Sequence, residues 1–329
     1  MSEMTPVIVG VDTSNYTTSL CAIDSTGVIV WEGRRVLAVK AGEQGLMQSA
    51  ALFQHVAHLP ELLSSLQEAT LQRPVVGVGV STRPRHVEKS YMPVFLAGAM
   101  CARALATGAG HFLPVVETSH QSGHIAAGLF TAHLELAQGE TIVVLHLSGG
   151  TTDLLQVTRA NHDFVSVPLA QSLDLHAGQF VDRVGVMLGL PFPCGPHLEK
   201  LAATYTGVLP NLPSAIRNGS PSFAGPFSAA QRLFANREEP AAIAAAALRV
   251  VANTVEKMIR SAWERVGSCR VLLVGGVASN QIIHARLQER LGPRKQQLFV
   301  CQPRYASDNA FGVALIARDW MKQDVKKVT

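Results

Sequence analysis

The chain has 329 residues, of which 47% are hydrophobic and 16% charged, and its formal net charge of +4 permits nucleic-acid contact without indicating it. This length and composition predict two lobes of roughly 150 residues each with large buried cores, and they exclude a mostly disordered chain. No apolar run reaches the roughly 18 residues of a membrane span, a signal-peptide pattern is absent, and five scattered cysteines indicate reduced thiols, so we expect a cytoplasmic protein.

Short apolar runs alternate with helical patterns along the first part of the chain. The run from Val94 to Thr107 is rich in small residues, so this helix is expected to pack closely on a sheet. In chain order the predicted elements are strands Val7–Val11, Ser19–Asp24 and Val28–Glu32, helix Ala50–Leu66, strand Val75–Val80, helix Val94–Thr107 and strand Phe112–Val116.

The pattern then starts again with a second group of strands. The whole chain therefore predicts an α/β architecture. The elements are strands Thr141–Leu147, Leu154–Thr158 and Phe164–Val167, helices Ala177–Leu188 and Pro196–Tyr205, a loop over Gly207–Pro226, helix Pro240–Val266, strand Val271–Val274, helix Gln281–Leu291, and a C-terminal strand and helix.

Two stretches half a chain apart follow one plan. Val9–Thr18 is a strand, a polar turn, a Thr-Thr pair and a second strand, and Leu145–Thr152 repeats this plan with a shorter turn. The echo suggests duplicated lobes that face each other across a cleft and aim the N–H groups of both turns at one ligand. Two ordinary hairpins in an ordinary α/β protein would look the same, and the echo alone does not choose between them.

A histidine pair lies in the segment Ser119–His124, at the start of a predicted helix. His120 and His124 stand four residues apart, so both rings project from one helix face and could bind one divalent metal. Such pairs are also common without any metal. A zinc-peptidase helix would place a glutamate after the first histidine, and Gln121 cannot act as that base, so a peptidase is disfavoured.

Three further motifs each have a functional and a plain interpretation. The turn Ser148–Thr152 could present N–H donors to a phosphate or simply close a hairpin. Leu272–Asn280 leads into a helix and could form a ligand corner, whereas Asn280 could simply be an N-cap. In Tyr305–Ala310, Asp308 or Ser307 is by default a helix cap, unless the fold brings the carboxylate of Asp308 to the two histidines.

These motifs, in this order and with these gaps, resemble the TsaD/Gcp family of tRNA threonylcarbamoyladenosine synthases. Gly178–Val184 with Leu188–Pro196 also resembles the nucleotide-contacting helix and loop of that family, and the likeness extends over roughly Val7–Ala317. The resemblance implies a two-lobed, actin-like and sugar-kinase-like α/β fold with duplicated mixed sheets flanked by helices. It implies an N-terminal lobe of residues 1–117 completed by the C-terminal helix 309–329, and a second lobe, 118–308, with the metal and nucleotide site in the cleft.

The resemblance further implies a metal-assisted transfer of a threonylcarbamoyl group from threonylcarbamoyl-AMP to the adenosine beside the tRNA anticodon. Iron or zinc would be bound by His120, His124 and Asp308 and would act as the Lewis acid, so no catalytic residue beyond the metal site is required. The implied partners are tRNA and TsaB-like and TsaE-like proteins or a second copy of the chain, without a membrane. The residues implied to contact the adenine nucleotide (threonylcarbamoyl-AMP, ATP or AMP) are His146, Leu147, Ser148, Gly149, Gly150, Asp182, Gly195 and Asn280.

Several loops depart from the family pattern. The family turn Gly-Pro-Gly-Leu is replaced by the basic stretch Thr82–Lys89, and Ser222–Ser228 lacks the lysine of the family segment. Cys194 breaks a glycine pair, and the opening Glu-Thr-Ser-Cys becomes Asp12–Asn15. These changes favour an alternative, a non-catalytic paralogue that binds nucleotide and metal as an assembly or regulatory subunit.

Two weaker interpretations complete the alternatives. A small-molecule kinase on the same fold would need Asp12 or Asp153 as its base, but it leaves the histidine pair unexplained. The basic turn Arg83–Lys89 and the tail Lys322–Lys327 could contact tRNA phosphates, although a solvated loop and a frayed terminus are the commoner explanations.

Overall fold

The computed structural model describes residues 5–14, 16–39, 46–87, 90–108 and 112–328, and for residues 215 and 324–328 it describes the backbone only. Asn15, the Glu88 and Lys89 end of the basic turn, and the side chains of Lys326 and Lys327 therefore lie outside the described residues. The chain forms two compact units. Unit 1 comprises Met1–Glu140, Thr158–Val165 and Asp308–Thr329, and unit 2 comprises Thr141–Val157 and Ser166–Ser307.

Twelve strands and ten α-helices form within the described residues. The strands are β1 (Val7–Thr13), β2 (Thr17–Ile23), β3 (Ile29–Val36), β4 (Val75–Arg83), β5 (Val115–Ser119), β6 (Thr141–Leu147), β7 (Thr152–Ala160), β8 (Asp163–Gln171), β9 (Ala215–Arg217), β10 (Ser220–Ser222), β11 (Val271–Val274) and β12 (Leu298–Val300). The helices are α1 (Gln48–Thr70), α2 (Phe95–Gly108), α3 (His120–Thr131), α4 (Ala177–Met187), α5 (Gly195–Ala203), α6 (Ala224–Ala235), α7 (Pro240–Val266), α8 (Gln281–Leu291), α9 (Pro303–Ala306) and α10 (Phe311–Val328).

The two large sheets share one topology. Their strand orders are β3-β2-β1-β4-β5 and, read from the other edge, β8-β7-β6-β11-β12. In both, three consecutive strands lie side by side, and two later strands are added in parallel beyond the first of the three. The duplicated mixed sheets that the family resemblance implied are thereby confirmed, and β1–β2 and β6–β7, the two stretches of the sequence echo, occupy equivalent places.

Paired glycines let the C-terminal helix α10 pack directly on the first sheet. Gly10 on β1 lies opposite Gly79 on β4. A Cβ added at Gly10 would lie 2.3 Å from the carbonyl oxygen of Ala310, and one at Gly79 would lie 2.6 Å from that of Val313. Because only glycine lacks this atom, the helix backbone can approach both central strands of unit 1.

The core of unit 2 is built around α7. Pro240 occupies the first turn of this helix, where its missing N–H leaves no hydrogen bond unmade, and Gly267 with a φ of 82° ends it. Its alanine-rich half is almost fully buried, and α5, α6 and α8 pack around it. The predicted helix Pro240–Val266 is confirmed at both ends. Among the described residues, no helix combines the length and apolar character that crossing a bilayer requires.

Several strands extend beyond their predicted bounds, among them β3, β4 and β7, and three sequence predictions differ more strongly from the structure. The strand predicted at Phe112–Val116 lies three residues later, as β5, because Phe112 is 94% exposed while the polar Thr118 and Ser119 are buried. The predicted loop at 207–226 contains the β9–β10 hairpin and leads into α6, which periodicity did not indicate. The lobe boundary was predicted after residue 117, whereas unit 1 continues to Glu140 because α3 packs against α10.

A buried carboxylate links two helices of unit 2. Glu256 on α7 binds the Nε atoms of Arg260 at 2.5 Å and of Arg290, on α8, at 2.8 Å. Burial raises the pKa of Glu256, but the hydrogen bonds and charges of the two arginines outweigh this effect and lower it. Since the folded pKa lies below the unfolded value, the carboxylate stabilises the fold above about pH 4.3, and this contribution is lost as the pH falls through the folded pKa.

We therefore expect Glu256→Gln to lower the free energy of unfolding by about 1–2 kcal/mol at pH 7. This cost is smaller than the cost of breaking a fully buried ion pair, because both arginines are nearly half exposed. Urea unfolding at pH 7 and at pH 4 measures this cost, which should shrink at the lower pH. Glu264→Gln, on an exposed face of the same helix, is the control. Equal stability of Glu256→Gln and wild type at pH 7 would contradict the prediction.

Candidate functional site

The start of α3 carries the histidine pair of unit 1. Ser119, the last residue of β5, caps this helix, because its Oγ accepts a hydrogen bond of 3.0 Å from the amide of Ser122. The cap fixes where the helix begins, and His120 therefore occupies its first position with His124 one turn later. The two rings meet edge to face with centroids 4.6 Å apart.

Asp308 lies against this pair, although it is 184 residues from His124 in sequence. Its Oδ1 is 3.3 Å from the Nε2 atoms of both His120 and His124, and these two nitrogen atoms are 3.1 Å apart. The three side chains are the one group of metal-binding residue types that converges in the part of the chain the structure describes. Asp308 is therefore not an isolated helix cap.

The three atoms fit a divalent cation. Nitrogen and oxygen ligands about 2.0–2.1 Å from a tetrahedral cation lie roughly 3.3 Å from one another, and the observed separations are 3.1–3.3 Å. Two imidazole Nε2 atoms this close can face each other only when a proton or a cation lies between them. Two histidines and one carboxylate also leave coordination positions for substrate or water, as in catalytic sites.

Two side chains of the first hairpin, Asp12 and Ser14, hydrogen-bond members of the triad on the side away from the three atoms that face one another. Asp12, at the end of β1, accepts a hydrogen bond of 2.9 Å at its Oδ1 from Nδ1 of His120. Ser14 donates from Oγ to Oδ2 of Asp308 at 2.8 Å. Ser81 on β4 donates to the same Oδ1 of Asp12. The roles of Ser14 and Ser81 were not predicted from the sequence. The one available signal of a polar site here was Asp12, a charged residue within a strand that is buried and mostly apolar.

The electrostatics of the triad favour positive charge between its members. Burial disfavours the imidazolium of His120, but the carboxylates of Asp12 and Asp308 outweigh it and hold its pKa well above the ordinary value. Burial would likewise raise the pKa of Asp308, but the hydrogen bonds and charges of His120 and His124 hold it well below the usual range. A cation placed among these groups would be stabilised by the same carboxylates.

In unit 2, six of the eight predicted nucleotide residues lie at or shortly after the ends of β6 and β11, and Asp182 and Gly195 lie on the helices α4 and α5. The two strands are parallel neighbours with Val274 opposite His146, so the turns that follow them emerge at one sheet edge. Gly275 has a φ of 94°, and a Cβ there would lie 2.4 Å from the carbonyl oxygen of Leu147. Only glycine therefore lets these two strand ends approach. This edge is where α/β sheets usually bind ligands.

The glycine turn after β6 lies against the N-terminus of α4. The amide of Gly178 donates to the carbonyl oxygen of Ser148 at 3.1 Å, and the Ala177 amide donates to Oγ1 of Thr152 at 2.7 Å. Added Cβ atoms would meet nothing within 4 Å at four glycines of unit 2, so the Cβ side of each faces open space. Such open backbone is what a phosphate or ribose needs for close approach. The four are Gly149, Gly150, Gly195 and Gly276.

Two of the predicted nucleotide contacts already have structural roles. Asp182 on α4 accepts a hydrogen bond of 2.8 Å from the amide of Cys194, which holds the loop before α5. Burial raises the pKa of Asp182, and this hydrogen bond lowers it less. The Oδ1 of Asn280 accepts from the amide of Ile283 at 3.0 Å, so the N-cap interpretation is confirmed for this atom. A nucleotide contact from either residue stays a prediction.

The described part of the basic turn is tied to its surroundings. Arg83 lies within hydrogen-bond distance of His86, at 3.4 Å, and His86 approaches the carboxylate of Asp163 at 3.8 Å. The amide of Arg85 donates to Ser90 at 3.1 Å. These contacts give the described part of the turn a defined conformation at the end of β4. The turn lacks the glycines of the family pattern.

A family model described as TsaD, tRNA N6-adenosine threonylcarbamoyltransferase, matches residues 90–315, more than two thirds of the chain. The chain belongs to the TsaD family. A curated TsaD-family relative from Methanopyrus kandleri, named tRNA N6-adenosine threonylcarbamoyltransferase, is 27% identical over 295 residues, which cover 88% of this chain and 82% of the relative. The match to the TsaD model begins directly after the divergent basic turn and includes all three members of the triad.

Solved structures place this TsaD-family chain in the fold class of actin-like ATPases and sugar kinases. The activator of 2-hydroxyisocaproyl-CoA dehydratase from Clostridium difficile superposes with a TM-score of 0.54 at 16% identity, covering 98% of both chains. A ROK-family glucokinase from Streptomyces griseus gives a TM-score of 0.53 at 10% identity, covering 95% of this chain and 99% of the glucokinase. At these identities the likeness concerns the fold, which was predicted from the sequence.

Proposed function

We propose that this TsaD-family chain transfers a threonylcarbamoyl group from threonylcarbamoyl-AMP to the adenosine beside the tRNA anticodon. The observation that carries the proposal is the convergence of His120, His124 and Asp308 within 3.3 Å, in a chain whose residues 90–315 match the family model. The transferase name of the relative from Methanopyrus kandleri supports the same reaction. We place the activity in the cytoplasm.

His120, His124 and Asp308 would bind the divalent metal, iron or zinc, through two Nε2 atoms and one carboxylate oxygen. The cation would supply Lewis-acid polarisation of the carbamoyl donor. The side chains themselves hold the triad together, because Asp12 and Ser14 hydrogen-bond two of its members from the side away from the shared atoms. The tRNA amine is the nucleophile, so the chain needs no nucleophilic serine or cysteine.

The turns of unit 2 would bind the adenylate part of the donor. Backbone N–H groups of Gly149 and Gly150 would hold the leaving phosphate, since the amide of Ser148 donates to the carbonyl oxygen of Thr151, and Asp182, Gly195 and Asn280 would contact the nucleoside. The open backbone at the four glycines supports this assignment. His146 and Leu147 would shape the turn from the end of β6. That both sites share one cleft remains a prediction from the sequence.

The test is a direct transfer assay. Purified protein is incubated with threonylcarbamoyl-AMP and unmodified tRNA, alone and with TsaB-like and TsaE-like proteins, and threonylcarbamoyladenosine is measured by mass spectrometry after digestion of the tRNA. We expect modified adenosine, and its restoration in a strain that lacks its own transferase. Lack of product with every partner, from protein that holds stoichiometric metal, would overturn the transferase assignment.

The second candidate is a non-catalytic paralogue that keeps nucleotide and metal and assembles with other proteins. The altered turn at 82–87 favours it, as does Ser222–Ser228, where Ser222 donates to Asp174 and no lysine is present. This candidate predicts tight AMP or ATP binding, measured by calorimetry, together with no transfer in the assay above. A kinase is disfavoured, because the carboxylates of Asp12 and Asp153 are both buried within strands.

A further inference from the structure

We propose that Asp12 is a positioning residue that sets the metal affinity of the triad through His120, and that Ser14 supports Asp308 in the same way. The inference rests on the proposed metal site and goes beyond it, because it assigns a role to the end of β1 and the turn that follows. This turn is one of the segments that departs from the family sequence.

The surroundings of Asp12 make a purely structural role costly. The side chain is fully buried, and its Oδ1 accepts from both His120 and Ser81. Its Oδ2 is also buried, and no hydrogen-bond donor among the described residues reaches it. A buried carboxylate oxygen without a partner destabilises a fold, so an apolar or amide side chain would be the better choice for packing alone. The carboxylate is instead suited to orienting His120.

The orientation of the ring matters because only Nε2 of His120 faces the other two ligands, whereas Nδ1 hydrogen-bonds Asp12. The hydrogen bond to Asp12 keeps a proton on Nδ1 of His120, so Nε2, which faces His124 and Asp308, is the nitrogen left to bind a cation. A carboxylate in this position also makes the ring a better electron donor to a metal. An amide at residue 12 would lose the charge and could present N–H instead of oxygen, which favours the wrong tautomer.

Ser14 orients the carboxylate of Asp308 as Asp12 orients the ring of His120. Its hydroxyl donates to Oδ2 of Asp308 at 2.8 Å, which leaves Oδ1 equally distant, at 3.3 Å, from both histidine nitrogen atoms. Ser14 lies two residues after Asp12, directly after the end of β1, and its Oγ also approaches the carbonyl oxygen of Thr17 at 3.4 Å. One short segment of the first hairpin therefore orients two of the three ligands, since Asp12 contacts His120 and Ser14 contacts Asp308.

The test compares Asp12→Asn with Asp319→Asn, which removes a carboxylate of unit 1 that pairs with Arg159 and Arg318. Zinc dissociation constants are measured by competition with a chelating indicator, and the visible spectrum of the Co(II) protein reports ligand geometry. We expect Asp12→Asn to bind zinc about 10–100-fold more weakly with an altered cobalt spectrum, and Asp319→Asn to match wild type. Ser14→Ala should weaken binding in the same direction.

Wild-type affinity and spectrum in folded Asp12→Asn would overturn the inference while leaving the metal site intact. If that variant does not fold, Ser81→Ala and Ser14→Ala decide, because each removes one supporting hydrogen bond and keeps the Asp12 charge. Unchanged zinc affinity in both would overturn it equally. A wild-type protein that binds no divalent metal would overturn this inference and the metal site together, whereas a failed transfer assay alone leaves the affinity comparison valid.

Discussion

Changing His120 or His124 to alanine is expected to remove the divalent metal from the purified protein and to abolish transfer to tRNA. Structural zinc sites with four ligands contribute about 10–16 kcal/mol, so each ligand accounts for roughly 3 kcal/mol, or more than 100-fold in affinity. A site with three protein ligands cannot lose one and keep stoichiometric metal through purification. Elemental analysis of the variants measures this directly.

The control for the histidine variants is His133→Asn. His133 is exposed just beyond α3 and has a φ of 50°, a left-handed conformation that asparagine tolerates well. This variant should retain the metal content and the transfer rate of wild type. Unfolding temperatures with and without added zinc separate loss of metal from loss of fold, because binding stabilises only proteins that retain the site. Stoichiometric metal in His124→Ala would place the cation elsewhere.

Spacing in the sequence was enough to predict one half of the triad. His120 and His124 lie on one face of α3, as the interval of four residues indicated. Asp308 entered only through the family resemblance, because no local pattern connects residues 184 positions apart. The same limit explains why Ser14 was missed. Its hydroxyl contacts a residue 294 positions away, and this contact exists only once α10 has packed on the first sheet.

The predicted bounds of β5 are wrong because this strand ends in buried polar residues. An apolar run predicted a strand at Phe112–Val116, yet the paired residues continue to Ser119, because Thr118 donates to Asp163 and Ser119 caps α3. Hydrophobicity cannot anticipate a buried hydroxyl whose partner comes from a distant element. By contrast, α7 was predicted to the residue, since its proline start and glycine end are local signals.

Gly312→Ala is expected to destabilise the protein by at least about 3 kcal/mol and to weaken metal binding in whatever fraction still folds. A Cβ at Gly312 on α10 would lie 1.8 Å from the carbonyl oxygen of Gly123 on α3, and 3.0 Å from the amide nitrogen of Ala127. These are backbone atoms of a packed helix, so no side-chain rotation relieves the overlap. The gain in helix propensity, about 1 kcal/mol, is too small to offset it.

The clash connects the fold to the chemistry, because α3 carries both histidines and Asp308 lies three residues before α10. Moving the two helices apart by about the width of a methyl group would separate ligand atoms that now lie 3.1–3.3 Å apart. Gly108→Ala at the end of α2, where an added Cβ meets nothing within 4 Å, is the control and should be neutral or slightly stabilising. Urea unfolding and zinc affinity of both variants test the argument. A Gly312→Ala protein as stable as wild type would mean that α3 and α10 do not meet at this glycine, and then the position of Asp308 beside the histidines would lose its structural basis.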